Sequence, residues 1–265
     1  MTFGGDNAES YYDEGLTASM KGDLKHAIQH LEKAVQLDPS FLAAYHQLGR
    51  CYSRLGDGKR SVEILKKVVS LKPMQVPFRL DLGAALLALG LTQQARDQYE
   101  QVITLDPSNG RAHIGLAHVC FSEGRWPAAM AEAQIALNGT GPNFAALYIL
   151  GRAAKLAGNI ELSQRSLQDA AVLIEKAADL SPNQPEGFYL RGEVSFAQDQ
   201  FSSALEHYLG AEQRCDPQKA YTAYGENFTL IDILRLNKPE RARDLGERIL
   251  KLDPTHKLGQ ALKNL

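Results

Sequence analysis

Leu37-Asp38-Pro39-Ser40, Leu71-Lys72-Pro73, Leu105-Asp106-Pro107-Ser108 and Leu252-Asp253-Pro254-Thr255 are four versions of one phrase. Pro39, Pro73 and Pro107 stand 34 residues apart. A second ladder runs in step with it: Gly15, Gly49, Gly83, Ala117 and Gly151 are again separated by 34 each time. Two ladders in register define an internal repeat, and a period of about 20–50 residues is the mark of a stacked-repeat architecture.

Each unit reads as two helices. Between Leu42 and Leu55, apolar residues recur at helical spacing (Tyr45, Leu48, Tyr52, Leu55). Gly56-Asp57-Gly58 then interrupts the pattern as a C-capping glycine does. Val62, Leu65, Val68 and Val69 resume it, and Lys72-Pro73 ends it, because proline disfavours helix in the residue before it. Comparable breaks fall at Gly22-Asp23, Gly90, Gly124-Arg125, Gly158-Asn159, Asp199-Gln200 and Asn237-Lys238. Strand-like alternation is nowhere sustained, so the expected class is all-α.

The composition fits this class and narrows the function. The 265 residues carry 29 Lys and Arg against 31 Asp and Glu, a net charge of −2, and 44% are apolar. A general nucleic-acid binder carries a large positive excess, so nucleic acid is not an expected partner. Cys51, Cys120 and Cys215 lie too far apart for a disulfide framework or a metal spacing, which points to a reducing compartment. The opening residues Met1 to Asp6 have neither a basic flank nor an apolar core, so a cytoplasmic rather than secreted protein is expected. The longest mostly apolar run, Leu82 to Leu91, has ten residues. A membrane helix needs about 20, so the chain is not expected to span a membrane.

A 34-residue helix–turn–helix unit with an aromatic, Leu-Gly, aromatic, Ala, aromatic, Ala, Pro signature resembles the tetratricopeptide repeat family. Unit one carries Tyr11, Gly15, Ala27, Leu31, Ala34 and Pro39; unit two Tyr45, Gly49, Tyr52, Leu65 and Pro73; unit three Gly83, Leu86, Ala95, Tyr99 and Pro107. Unit four keeps Leu116, Ala129 and Ala136 with its proline displaced to Pro142. Unit five begins with Leu147, Leu150 and Gly151, and its second helix matches at Ala170, Ile174 and Ala177 only if seven extra residues are admitted. Gly192 indeed follows Gly151 by 41 residues, seven more than the period. Seven residues are about two helical turns, so a lengthened helix keeps its buried face in register. Unit six shows Phe188, Gly192, Ala204 and Tyr208, and unit seven Tyr221, Gly225, Phe228, Ala242 and Pro254.

The resemblance implies a right-handed superhelical α-solenoid of about seven repeats, at 8–41, 42–75, 76–109, 110–143, 144–184, 185–217 and 218–254. A disordered N-terminus at 1–7 precedes it. A capping helix at 255–265 follows, with Leu258, Ala261, Leu262 and Leu265 on one stripe. Small residues at the eighth, twentieth and twenty-seventh positions let helices approach closely while large residues fill the gaps. No unit can bury its apolar face alone, so one continuous core and a single solenoid domain are expected.

A search for catalytic and cofactor signals finds none that stands, so no cofactor and no metal are expected. Gly56-Asp57-Gly58-Lys59-Arg60-Ser61 lacks the first glycine of a phosphate loop and follows no strand, and it reads as a turn. His26 and His30 share a helix face without a third ligand, and His113 and His118 diverge around theirs. Asn138-Gly139-Thr140 fits a glycosylation sequon and reads as a loop.

In the resembled family, positions two, five, nine and twelve of each first helix line the concave groove. Carried over, they give a candidate set: Tyr12 in unit one, His46 and Arg50 in unit two, Leu80 and Leu87 in unit three, Arg111, Ile114, His118 and Phe121 in unit four, Tyr148, Arg152 and Lys155 in unit five, and Tyr189 in unit six. The middle of this list is basic with apolar groups interleaved, whereas Glu186, Glu193 and Glu226 make the later units acidic. Arginine pairs with carboxylates, and aromatic residues anchor protein interfaces. The family's clamp for chaperone tails uses Lys and Asn where this chain has Tyr12 and Leu16, which cannot grip a terminal carboxylate. The expected function is a non-enzymatic scaffold or adaptor that binds an acidic and apolar peptide or partner segment in its groove. The alternatives are a regulatory or ligand-sensing subunit with a site near the irregular repeats five to seven, or self-association.

Overall fold

The computed structural model describes residues 7–180 and 184–214, with isolated helical positions at Arg243, Glu247, Leu250, Lys251 and Gln260. Every regular element among the described residues is an α-helix: α1 (Ala8–Met20), α2 (Leu24–Leu37), α3 (Leu42–Leu55), α4 (Gly58–Leu71), α5 (Val76–Ala88), α6 (Thr92–Leu105), α7 (Gly110–Ser122), α8 (Trp126–Thr140), α9 (Phe144–Leu156), α10 (Ile160–Leu180), α11 (Pro185–Ala197) and α12 (Phe201–Arg214). Each expected repeat up to residue 217 thus holds one helix pair. The expected seventh repeat and capping helix lie outside the described residues apart from those isolated positions, as do Met1 to Asp6 and Cys215.

The turn inside each pair has one cause throughout. Gly22, Gly56, Gly90, Gly124 and Gly158, again 34 apart, all adopt positive φ just past a helix end. The next residue then returns its N–H to a carbonyl five residues back, as Asp57 does to Tyr52 and Arg125 to Cys120. This is the Schellman closure, which satisfies the last carbonyls of the helix. Asp199 takes the same role at φ 61 without being glycine, and Gln200 still bonds Ser195. Asp23, Asp57, Asn109 and Asn143 then cap the following helices by accepting from His26, Arg60, Ala112 and Ala146. Asn7, expected in the loose N-terminus, caps α1 in the same way, accepting from Ser10 at 2.8 Å. The Leu-Asp-Pro-Ser phrase is a turn between repeats: Asp38 accepts from both the N–H and the hydroxyl of Ser40, which holds its carboxyl below the ordinary range. The sequon at Asn138, read as a loop, instead occupies the last turn of α8. No helix among the described residues is long and apolar enough to cross a membrane.

The chain divides into two compact units, residues 1–141 and 142–265. In the first, α1 to α8 form four hairpins stacked one on the next, and the first helices α1, α3, α5 and α7 also touch in succession. In the second, α9–α10 and α11–α12 are the hairpins, and α10 packs on α11. α10 runs 21 residues against 14 for α2, α4 and α6, which accounts for the seven extra residues of repeat five.

Inside each hairpin the glycine ladder meets a large residue sixteen positions on. A Cβ on Gly15 would lie 2.7 Å from Leu31, on Gly49 2.8 Å from Leu65, on Gly83 2.8 Å from Tyr99, on Gly151 2.7 Å from Leu167, and on Gly192 2.7 Å from Tyr208. Leu31, Leu65, Leu167 and Tyr208 are at most 1% exposed and Tyr99 is 4% exposed, so these contacts are the centre of each hairpin's core. Where Ala117 replaces the glycine, the residue sixteen positions on is Ala133, and both are fully buried. A leucine at Gly83 would strike the Tyr99 ring, and a Cβ on Gly115 would meet the same ring atoms, so the ring has little room to move aside. Gly83→Leu is therefore expected to destabilise by about 1–3 kcal/mol or more; a calorimetric melting temperature equal to that of the wild type would contradict this packing.

Candidate functional site

The first unit gathers several of the expected groove residues around a carboxylate that the groove positions alone do not include. Asp81, on α5, accepts from Nε2 of His46 on α3 at 2.8 Å through Oδ2. The same oxygen lies 3.5 Å from Nε of Arg50. Oδ1 accepts from the guanidinium of Arg111, on α7, at 3.2 Å. One acid thus ties three neighbouring first helices together on a single face. Burial would raise the Asp81 carboxyl, but the hydrogen bond from His46 and the charges of His46, Arg50 and Arg111 outweigh it and hold it below the ordinary aspartate range. His46 is buried, with the Phe78 ring 4.7 Å away, so it is a floor group rather than a free contact. Beneath lies Tyr99, whose hydroxyl is pushed up to about 12 by burial, with Arg111 drawing it down and Asp81 raising it.

The remaining candidates of this unit divide by burial. Arg50 and Arg111 keep 50% and 67% of their side chains exposed. Leu87, Ile114, His118 and Phe121 are half-buried, Leu87 against the core and Phe121 with its ring edge toward Trp126. Tyr12 is half-buried and packs on Phe41 at 4.9 Å. Leu80 is a correction: at 5% exposure it belongs to the core shared by α4 to α7 and lines no groove. His113, set aside as a metal ligand, is buried and holds α7 to α8, its ring nitrogens 2.7 Å from Glu132 and 3.1 Å from the Pro107 carbonyl. Among the described residues no three His, Cys, Asp or Glu side chains converge as metal ligands would.

The second unit has its own carboxylate centre. Glu193, on α11, accepts from the hydroxyl of Tyr148 on α9 at 2.8 Å and from that of Tyr208 on α12, and Tyr189 bonds it as well. Burial first, and the Glu193 charge second, raise all three tyrosines far above the ordinary phenol range. The Arg152 guanidinium lies over the Tyr148 ring at 5.3 Å and partly offsets that rise. Lys155 is committed to the end of α11, donating to the Ala197 carbonyl at 2.7 Å and to Asp199 at 2.6 Å. Tyr148 and Lys155 therefore join α9 to α11, and Tyr189 packs its ring on Tyr208 of α12, whereas Arg152 stacks on Tyr148 within α9.

Family models of the tetratricopeptide repeat match residues 18–77, 80–143 and 155–220. The chain is a tetratricopeptide repeat protein. Its fold is similar to that of the solved MamA protein, at 25% identity and TM-score 0.53, over 66% of this chain and 95% of that one. A tetratricopeptide repeat protein from Parabacteroides merdae is similar over 98% of both chains at 16% identity and TM-score 0.58. TTC0263 from Thermus thermophilus, at 20% identity and TM-score 0.57, matches over 72% of this chain and 98% of its own. No curated protein sequence matches the chain.

Asp81 was legible only indirectly. It sits four residues beyond the second position of its helix, hence on the same face, and a lone acid among basic neighbours signals their partner. Because its folded carboxyl titrates below the unfolded one, its contribution is fully present above about pH 4 and is lost as the pH falls through the folded value. Asp81→Asn is expected to cost about 1–3 kcal/mol near neutrality. The gap from wild type should close on acidification below pH 4, followed by urea titrations at each pH; a gap independent of pH would contradict the ion cluster.

Proposed function

We propose that this chain is a non-enzymatic docking scaffold that holds an acidic and apolar segment of a protein partner on the face shared by α3, α5 and α7. The observation that carries this reading is the Asp81 centre. It fixes two exposed guanidinium groups from different helices at a set spacing, and two positive charges against one carboxylate leave an excess for an incoming acid. Preorganised arginines lose little side-chain freedom on binding, so more of each charge-assisted hydrogen bond appears as affinity. Leu87, Ile114 and Phe121 supply half-buried apolar surface nearby, which an alternating acidic and apolar segment would cover. The overall charge of −2 makes nucleic acid a poor partner, and the tetratricopeptide repeat fold offers wide helix faces rather than a catalytic centre.

Fluorescence anisotropy with a panel of labelled peptides that alternate Glu or Asp with Leu or Phe tests this. At least one member should bind saturably, with affinity falling as salt rises. Arg50→Glu combined with Arg111→Glu should weaken it by about a hundredfold, whereas Lys25→Glu on α2 should not. Binding that survives the double reversal, or a panel with no saturable member, would overturn the proposal.

A further inference from the structure

The joints between the first repeats share one backbone turn but not one chemistry. Asp38, Lys72 and Asp106 each close the end of a second helix, returning their N–H to the carbonyls of Ala34, Val68 and Val102. The residue three further on, Phe41, Gln75 or Asn109, then donates to the carbonyl of that same closing residue, at 3.1, 3.2 and 3.1 Å. In the first and third joints a side chain adds a clasp: Asp38 accepts from the N–H and the hydroxyl of Ser40, and Asp106 from those of Ser108. The second joint has Lys72 and Met74 in those places. It keeps the backbone of the turn and gives up the clasp. Both replacement side chains are exposed, Met74 by 69%, so packing within the turn does not account for the exchange.

The surroundings give the exchange a direction. Leu37, Leu71 and Leu105 end α2, α4 and α6, and all three are exposed. Because the hairpins of the first unit stack in order, these ends lie along one edge, with Met74 at its middle joint. Exposed apolar groups that cluster within a polar rim mark a surface that something covers. The charge around the middle joint is one-sided. Between Glu63 and Asp81 the chain carries Lys66, Lys67, Lys72 and Arg79 and no acid. Lys66 and Lys67 are exposed on α4, Lys67 with its ammonium 3.8 Å from the centre of the Tyr45 ring. Arg79 donates to the Pro73 carbonyl at 2.6 Å and so braces the joint from α5. Whatever covers this edge must be anionic, and it must accept apolar side chains that project from helix ends instead of lining a cleft. The interface of an anionic bilayer does both. Its phosphates meet ammonium groups, and projecting Leu and Met side chains enter it without needing a preformed hole.

We propose that the edge formed by the first three repeat joints docks reversibly on an anionic lipid surface, with Leu71 and Met74 entering the headgroup region and Lys66, Lys67 and Lys72 meeting its phosphates. The contact is peripheral and involves no spanning helix. It uses the ends of second helices, whereas peptide docking uses the first helices α3, α5 and α7, so neither assignment depends on the other.

Sedimentation of the full chain with phosphatidylcholine vesicles containing about one-third phosphatidylglycerol tests this. The chain should pellet with these vesicles and not with pure phosphatidylcholine, and rising salt should release it. Lys72→Asp combined with Met74→Ser restores the clasp of the flanking joints. That variant should melt at or above the wild-type temperature while its vesicle affinity falls at least about tenfold. Met74→Ser alone should weaken binding by a smaller factor, since the cations remain. Lys66→Glu, on the exposed surface of α4, gives a reading independent of the turn and should weaken binding about tenfold. Met20→Ser, at an even more exposed methionine beside a hairpin turn of repeat one, should bind as the wild type does. No binding to the mixed vesicles, equal binding to neutral ones, or wild-type affinity in both the double variant and Lys66→Glu would overturn the assignment, as would Met20→Ser weakened as much as Met74→Ser. A soluble acidic and apolar peptide that loses affinity in the double variant, with no vesicle binding, would overturn it in favour of a protein partner.

Discussion

Close approach between the two helices of each hairpin is the constraint on which this molecule rests. A residue without a side chain at the eighth position of the first helix admits a leucine or tyrosine ring from the second, as Gly83 admits Tyr99 and Gly192 admits Tyr208. The contact is steric before it is hydrophobic, because a single added carbon would lie closer than van der Waals distance to the facing side chain. Repeating it every 34 residues makes each hairpin a copy of the last, and copies can stack only by burying the same faces. In repeat four the same two positions are Ala117 and Ala133, both fully buried.

That stacking sets first helix beside first helix in the first unit, which is why Asp81 can reach His46 and Arg50 on one side and Arg111 on the other. The cluster is a product of the repeat without being part of its signature. Its residues do not recur at 34-residue intervals, since the place of Asp81 is taken by Gln47 one repeat earlier and by Gly115 one repeat later. In the second unit the corresponding helices are joined through Glu193 and its tyrosines instead. The array therefore uses one packing rule for its core and different polar chemistry on its faces, which is how a repeat scaffold acquires selectivity.

The fold was legible because its cause is periodic. Glycines at the turns and Leu-Asp-Pro-Ser at the joints are local signals, and both act in the structure where the two ladders put them. The extra length of repeat five was legible as arithmetic and emerges as two added turns of α10. The faces were legible only in part, because exposure depends on what the neighbouring helix brings. His46 and Leu80 hold the same position in successive repeats, and both are buried by residues that a list of groove positions omits. Arg50 and Arg111 both approach Asp81, an acid whose role had to be seen in three dimensions.

Backbone chemical-shift mapping of the first unit's helices with an acidic and apolar peptide reads out the central claim in one experiment. The account predicts that the largest perturbations fall together on Arg50, Asp81, Arg111, Ile114 and His118, along α3, α5 and α7. Perturbations confined to α4, α6 and α8, or none at saturating peptide, would contradict it.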